Sequence, residues 1–372
     1  MKKAIIPFLC FIAHNSFAFG ESDLIFFNDF EEQQQLKRVF LSGHSLMDNP
    51  YADYLQAIAE GKNVDYNWNQ QNGIGSPIRV RTSGDVLPDM DPNNNEWAGY
   101  ARGKNRDTFD MDVISELANP ATLGTNEVYD SLVITERHDI LGVIRFEYTN
   151  SLLRHYHDRL LTGNPNGQTY FYQSWWYMDF NNIQEWIDHT NLELKSYECV
   201  TEKVNLTLED DGLPRAVHNI PAGMALVNLV EAILDDQVPG FTGTDTNKMD
   251  LLFHDDVHLN DEGIFFMSAV TYASLLKSSP EGIAIPAEID NSTGQALLQI
   301  AWEVINEYDN NFTAPTMSEC RIAHETEICS SYWNMHDQPE LINSCQSWMN
   351  NTGFSTNPFN WPDPDLITWP DP

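Results

Sequence analysis

The sequence predicts an α/β fold, a parallel sheet covered by helices on both faces. Three observations carry this. Short apolar or aromatic runs suited to strands recur at 39–41, 131–135, 168–173 and 216–220. Segments with apolar residues at helical spacing lie between and after them, at 51–60, 147–161, 182–194, 224–234 and 264–276. Alternation of this kind is the pattern of strands joined by crossover helices, and no repeat of solenoid length competes with it.

The chain has 372 residues, enough for one large domain with an extension or for two domains. Lys2 and Lys3 precede an apolar stretch at 4–13, and Ser16-Phe17-Ala18 forms a small-x-small cleavage site. Residues 1–18 are therefore expected to be a secretory signal. That stretch, like every later window, falls short of the ~20 apolar residues that a membrane-spanning helix needs. The mature chain is expected to be exported, secreted or periplasmic, without a membrane span. An acidic, glutamine-rich leader at 21–35 runs into the first strand.

In Lys37-Arg38-Val39-Phe40-Leu41-Ser42-Gly43-His44-Ser45-Leu46-Met47-Asp48 an apolar run breaks at a small-residue turn that presents one hydroxyl, Ser45. A helix follows, with Tyr51, Tyr54, Leu55 and Ile58 on one face, and Asp48 is expected to cap it. A strand-turn-helix passage suits a nucleophile, because it sets the serine at the carboxyl edge of a sheet near a helix amino-terminus. The passage 63–105, rich in Asn, Gly, Pro and Asp, reads as long loops around the turn Asn72-Gly73-Ile74-Gly75-Ser76-Pro77. Residues 108–117 read as a helix.

The strand 131–135 ends at Glu136-Arg137-His138-Asp139. The helix at 147–161 carries His155 and His157, both read as surface residues. The strand 168–173 runs into Trp175-Trp176-Tyr177, aromatics that suit either a sugar-stacking wall or core packing. A domain boundary is expected near 285. Residues 286–372 form an extension with a helix at 293–308, a cysteine group and a repeated Trp-Pro-Asp-Pro.

The net charge of −35 argues against nucleic acid and anionic membrane surfaces as partners, since both would be repelled. Of five cysteines, Cys10 leaves with the signal. Cys199, Cys320, Cys329 and Cys345 allow three disulfide connectivities in an oxidising compartment. The reading favours one bridge within the last three and one to Cys199. A zinc site is the competitor, without a C-x-x-C pair to support it.

A second stretch gives Ser45 its meaning. Asp250-Leu251-Leu252-Phe253-His254-Asp255-Asp256-Val257-His258 puts an acid three residues before a histidine. Serine is a poor nucleophile until a base takes its proton, and histidine suits that task. A nearby carboxylate can fix the imidazole tautomer and stabilise the imidazolium. His254 and Asp256 compete for these roles, and the same run could instead hold a metal.

Over roughly 38–276 the chain resembles the SGNH/GDSL hydrolases. Gly43-His44-Ser45-Leu46-Met47-Asp48 is similar to the first block, with His44 where many members carry Asp. Asp255-Asp256-Val257-His258 matches the last block, Asp-x-x-His. The resemblance implies a three-layer α/β/α, flavodoxin-like domain at 19–285 with about five parallel strands. It implies Ser45 as nucleophile, His258 as base then acid, and Asp255 as its orienter. No metal or other cofactor is called for.

The Ser45 N–H and a second-block glycine, Gly75 with Gly73 as fallback, would form the oxyanion hole. The third block usually reads Gly-x-Asn-Asp, but here Glu136-Arg137-His138-Asp139 offers no Asn. Either the Arg137 or His138 side chain replaces that amide, or the hole has two donors only. Glu136, Arg137, His138, Trp175 and Trp176 are the candidate substrate-binding residues. The expected activity is that of a secreted serine esterase on a small-molecule or polysaccharide ester, first an O-acetylated carbohydrate. A lipase or short-chain carboxylesterase, or a silent glycan-binding module, are the alternatives.

Overall fold

A computed structural model describes residues 35–83, 103–105 and 108–350. The expected signal at 1–18 and the Trp-Pro-Asp-Pro tail lie outside the described residues. β1 (Gln35–Gly43) pairs in parallel with β2 (Val64–Asn72) on one side and with β5 (Ser131–Thr135) on the other. β6 (Gln168–Tyr172) and β7 (Val217–Ile220) extend the parallel set beyond β5. β3 (Gly103–Asn105) and β4 (Thr108–Met111) add an antiparallel edge at β2, giving the order β4-β3-β2-β1-β5-β6-β7. The five parallel strands and their helical layers are the α/β/α fold that the sequence implies. Chain order reverses between β1 and β5, the point where such sheets bind ligands at their carboxyl ends.

Side chains alternate across each strand and divide the core in two. Val39 and Leu41 of β1, Val133 of β5 and Tyr170 and Tyr172 of β6 face one layer. That layer holds α1 (Tyr51–Gly61), α7 (Ala222–Leu234), α9 (Asp261–Leu276) and α10 (Asn291–Asn311). Phe40, Leu132, Ile134 and Phe171 face the other, built from α3 (Val113–Ala118), α4 (Ile140–Phe146), α5 (Thr149–Gly163) and α6 (Ile183–Asp210). The expected face of α1 is realised, with Tyr51, Leu55 and Ile58 fully buried.

Several local expectations are corrected. Residues 63–105 are not all loop. β2 runs through Asn67, Asn69, Gln70 and Gln71 because a parallel strand next to the central one has its amides satisfied within the protein: Asn69 Nδ2 donates to Tyr129 Oη (2.6 Å) and Gln71 Nε2 to the Arg81 carbonyl (2.7 Å). α2 (Ile78–Ser83) follows the glycine turn. Residues 108–117 divide into β4 and α3, with Asp112 accepting from the Ser115 N–H as the cap between them (2.8 Å). Asp48 does not cap α1; its carboxylate accepts the Asn49 N–H (2.9 Å). His157 is fully buried, its Nδ1 2.9 Å from Thr169 Oγ1, and burial pushes its imidazole down to about 4.

The segment after 285 is shared between the two helical layers. α10 buries Leu297, Leu298 and Ala301 in the α9 layer. α11 (Met317–Ala323), α12 (Cys329–Met335) and α13 (Ile342–Asn350) bury Tyr332, Trp348 and Met349 in the opposite one. The bridges Cys199–Cys320 and Cys329–Cys345 follow the favoured pairing. The first anchors α11 to α6 across 121 residues of sequence. Cys199→Ser with Cys320→Ser should lower unfolding free energy by about 2–5 kcal/mol, measured by urea denaturation against the oxidised wild type. Reductant should cost wild type more than it costs this variant, which keeps only Cys329–Cys345 to lose.

Candidate active site

Ser45 follows β1 by two residues and opens a single 3₁₀ turn at 45–47. His44 before it is fully buried and uncharged: burial first, then the Arg81 charge, hold its imidazole well below the usual histidine range. Its Nε2–H donates to the Glu136 carbonyl (3.0 Å), and Nδ1 faces the Leu46 N–H at 3.5 Å. A neutral histidine thus fixes this turn where the resemblance leads one to expect an aspartate.

His258 arrives on a tight loop at 252–260. The Phe253–Leu259 bridge and the His254 N–H to His258 carbonyl bond (2.7 Å) close it. Trp175 supports the loop from beneath, its Nε1–H donating to the Val257 carbonyl (2.9 Å), and the Met178 N–H donates to the Asp256 carbonyl (2.7 Å). His258 Nε2 then lies 2.8 Å from Ser45 Oγ, and His258 Nδ1 lies 2.7 Å from Asp255 Oδ2. Asp255 Oδ1 accepts the N–H groups of Val257 (2.9 Å) and His258 (2.7 Å). Burial works to raise the Asp255 carboxyl, but those N–H groups and the imidazole hold it at about 2. It is therefore an anion that accepts only. The Nδ1 proton faces it, and bare Nε2 faces the serine hydroxyl. His254 is exposed and takes no part. Among the described residues no group of three His, Cys, Asp or Glu side chains is arranged to hold a metal.

The second-block turn lies beside Ser45 because Gly43 and Asn72 are paired at the ends of β1 and β2. The Gly73 N–H is spent on the Gly43 carbonyl (3.0 Å), which removes it as an oxyanion donor. Gly75 has φ +65°, a left-handed value, and open space where a side chain would project.

Beneath these loops lies Arg81, a residue for which the sequence carries no signal. It is buried, and its guanidinium donates to Ser42 Oγ (3.1 Å), the Ser76 carbonyl (2.7 Å) and the Thr135 carbonyl. Glu136 is also fully buried: Oε1 accepts the Ile78 (3.0 Å) and Arg137 (2.9 Å) N–H groups and Oε2 the Thr149 hydroxyl (2.9 Å). Two further expectations are thereby corrected. Glu136 is a strut rather than a substrate ligand, because all its contacts are internal. Trp175, at 0% exposure, is core and not a wall of the site. Arg137 is held in a two-pronged ion pair with Asp139 (2.7 and 2.9 Å). Of the five candidates, His138 and Trp176 remain, their rings in contact with 5.8 Å between centroids. Tyr177, the third aromatic of that run, joins them and is 40% exposed.

Among solved structures, the chain is similar to the crystal structure of a DUF4886 family protein from Bacteroides uniformis, at 16% identity and a TM-score of 0.50. The match covers 76% of this chain and 99% of that one. At this identity the likeness speaks for the α/β fold alone. No family model and no curated protein matches the sequence.

Burial raises the Glu136 carboxyl to about 7, against the pull of the Arg81 charge. Folded protein therefore holds this proton more tightly than the unfolded chain, whose glutamates titrate near about 4.3. The stability the group contributes is present below that value and is lost as pH rises through about 7. Glu136→Gln should flatten the fall in urea midpoint across this window, and an unchanged pH profile would contradict the assignment.

Proposed function

We propose that this chain is an exported serine ester hydrolase that works by acyl transfer through Ser45, with an O-acetylated carbohydrate as its substrate class. One observation carries the reading. Ser45, His258 and Asp255 form an unbroken hydrogen-bonded series, at the carboxyl edge of a parallel sheet where chain order reverses. Residues 213 positions apart meet at 2.8 Å, and Trp175, the Met178 N–H and the Phe253–Leu259 bridge all serve to hold that meeting.

The chemistry follows from the atoms. Ser45 Oγ adds to the acyl carbon while its proton passes to His258 Nε2, and the carbonyl π pair moves onto oxygen. The Ser45 and Gly75 N–H groups receive that charge. Collapse returns the pair, breaks the bond to the alcohol oxygen and delivers the His258 proton to it. Water then repeats the sequence on the acyl-serine and releases the acid. Asp255 stays ionised throughout, stabilising the imidazolium without taking its proton. Support for the carbohydrate comes from the half-buried Trp176 and exposed Tyr177 beside the site, since aromatic faces pack against sugar rings. The two disulfides suit an oxidising compartment.

Purified protein should release acid from p-nitrophenyl acetate, and Ser45→Ala or His258→Ala should each lower kcat on the order of 10⁴-fold or more. Asp255→Asn should cost about 10³–10⁴-fold, because the amide admits the wrong tautomer. A chelator should leave the rate unchanged. An inert wild type that also resists labelling by a phosphonate would point instead to a silent binding module. A preference for long-chain acyl esters over acetylated oligosaccharides would favour the lipase reading.

A further inference from the structure

A cavity of about 520 Å³ lies between α6, α7 and the carboxyl end of α10, and no residue of the Ser45 site lines it. That volume suits a small organic molecule. Met224 and Val304 supply apolar wall, and two carboxylates, Glu198 and Glu307, line it with them. Two aromatic rings complete the lining, Tyr308 and Phe312, with 5.3 Å between centroids and 34° between planes. Phe312 is 42% exposed and belongs to neither half of the core. The charge here is one-sided, since no lysine, arginine or histidine lines the cavity. Glu198 is half-buried; its Oε1 accepts the Tyr308 hydroxyl (3.1 Å), and burial raises its carboxyl above the usual range. Lys195 works against that rise, but its Nζ is bonded to Glu327 (2.7 Å). A neighbouring cavity shares Glu198, Tyr308 and Phe312, and there each cation has its own acid: Arg215 has Glu202, and Lys277 has Asp309 (2.8 Å).

We infer that this cavity binds a small organic cation, an alkylated ammonium, with Glu198 and Glu307 as its counter-charges and the Tyr308 and Phe312 rings as its walls. Neither Ser45 nor turnover enters, so the site stands apart from the hydrolase reading. The faces of aromatic rings are negative and attract a cation, most strongly where water is displaced. A cation beside Glu198 also offsets the cost of holding that carboxylate away from water. The apolar carbons of an alkylated ammonium pack against Met224 and Val304, which a hydrated metal ion would not do. A metal ion would need several oxygen ligands converging on one point, and no such group of acids exists among the described residues. An anion would be repelled by both carboxylates. A neutral molecule would leave the one-sided charge as it is.

The test is direct binding to the full chain, followed by methionine methyl NMR, with Met224→Leu to assign the reporting signal. Choline should move the Met224 signal and saturate at about 1 mM or below. Its neutral carbon isostere, 3,3-dimethylbutanol, should bind at least about tenfold more weakly. Glu198→Gln keeps the side-chain shape and the acceptor for Tyr308, and should weaken choline about tenfold or more. Phe312→Ala removes an exposed ring and should weaken it about 3–30-fold. An unmoved Met224 signal, equal binding of choline and its isostere, or an affinity that neither substitution changes would each overturn the inference. A response to calcium chloride but not to choline would do the same. Should Glu198→Gln fail to fold, Glu307→Gln, at an exposed position, carries the charge test: weaker choline binding supports the site and unchanged binding overturns it.

Discussion

The Arg81 guanidinium is the constraint on which the serine-bearing edge of the sheet depends. Three segments that approach from different parts of the chain are bound to one buried cation: the end of β1 through Ser42, the glycine turn through Ser76 and the end of β5 through Thr135. Its own carbonyl accepts from Gln71, whose Oε1 in turn accepts the Ser42 (3.0 Å) and Tyr156 (3.0 Å) hydroxyls. Five donors in a rigid plane can serve several carbonyls at once, which lysine could not do. Ser45, Gly75 and His138 each lie within three residues of a group on this network. A site that must receive charge at one point needs its donors fixed before the charge appears.

The acidic partner is placed to balance this cation without neutralising the site. Glu136 sits behind the edge, with its carboxylate turned to Ile78 and Thr149, while its carbonyl faces His44. One residue thereby links the glycine turn, α5 and the serine turn. The histidines at 44 and 138 stay uncharged beside it, because burial holds both imidazoles below the usual histidine range.

Much of this was legible locally. Ser45 and the Asp255–His258 pair each stand in short patterns whose chemistry follows from residue type and spacing, and β5, β6 and α9 follow from apolar period. The strand β2 was hidden because its amides look solvated in sequence, and only pairing next to β1 explains them. Arg81 left no trace, since its value comes from three carbonyl and hydroxyl partners spread over more than fifty residues. Trp175 and Trp176 are adjacent and alike in sequence, yet one braces the Val257 carbonyl and the other faces His138 and His336. The two lie beyond the end of β6, in a segment without regular structure, so no strand or helix period says which way each side chain turns.

The Cys199–Cys320 bridge has a topological effect on the candidate site. The covalent ring it closes contains β7, α7, α9, α10 and the loop bearing Asp255 and His258, while Ser45, Gly75 and His138 remain outside it. Asp255 and His258 thus belong to a circular segment, and Ser45 and Gly75 to a linear one. Oxidation confines the travel of one half of the site without touching the other, so thermal opening of the site becomes a separation between two differently tethered pieces of chain.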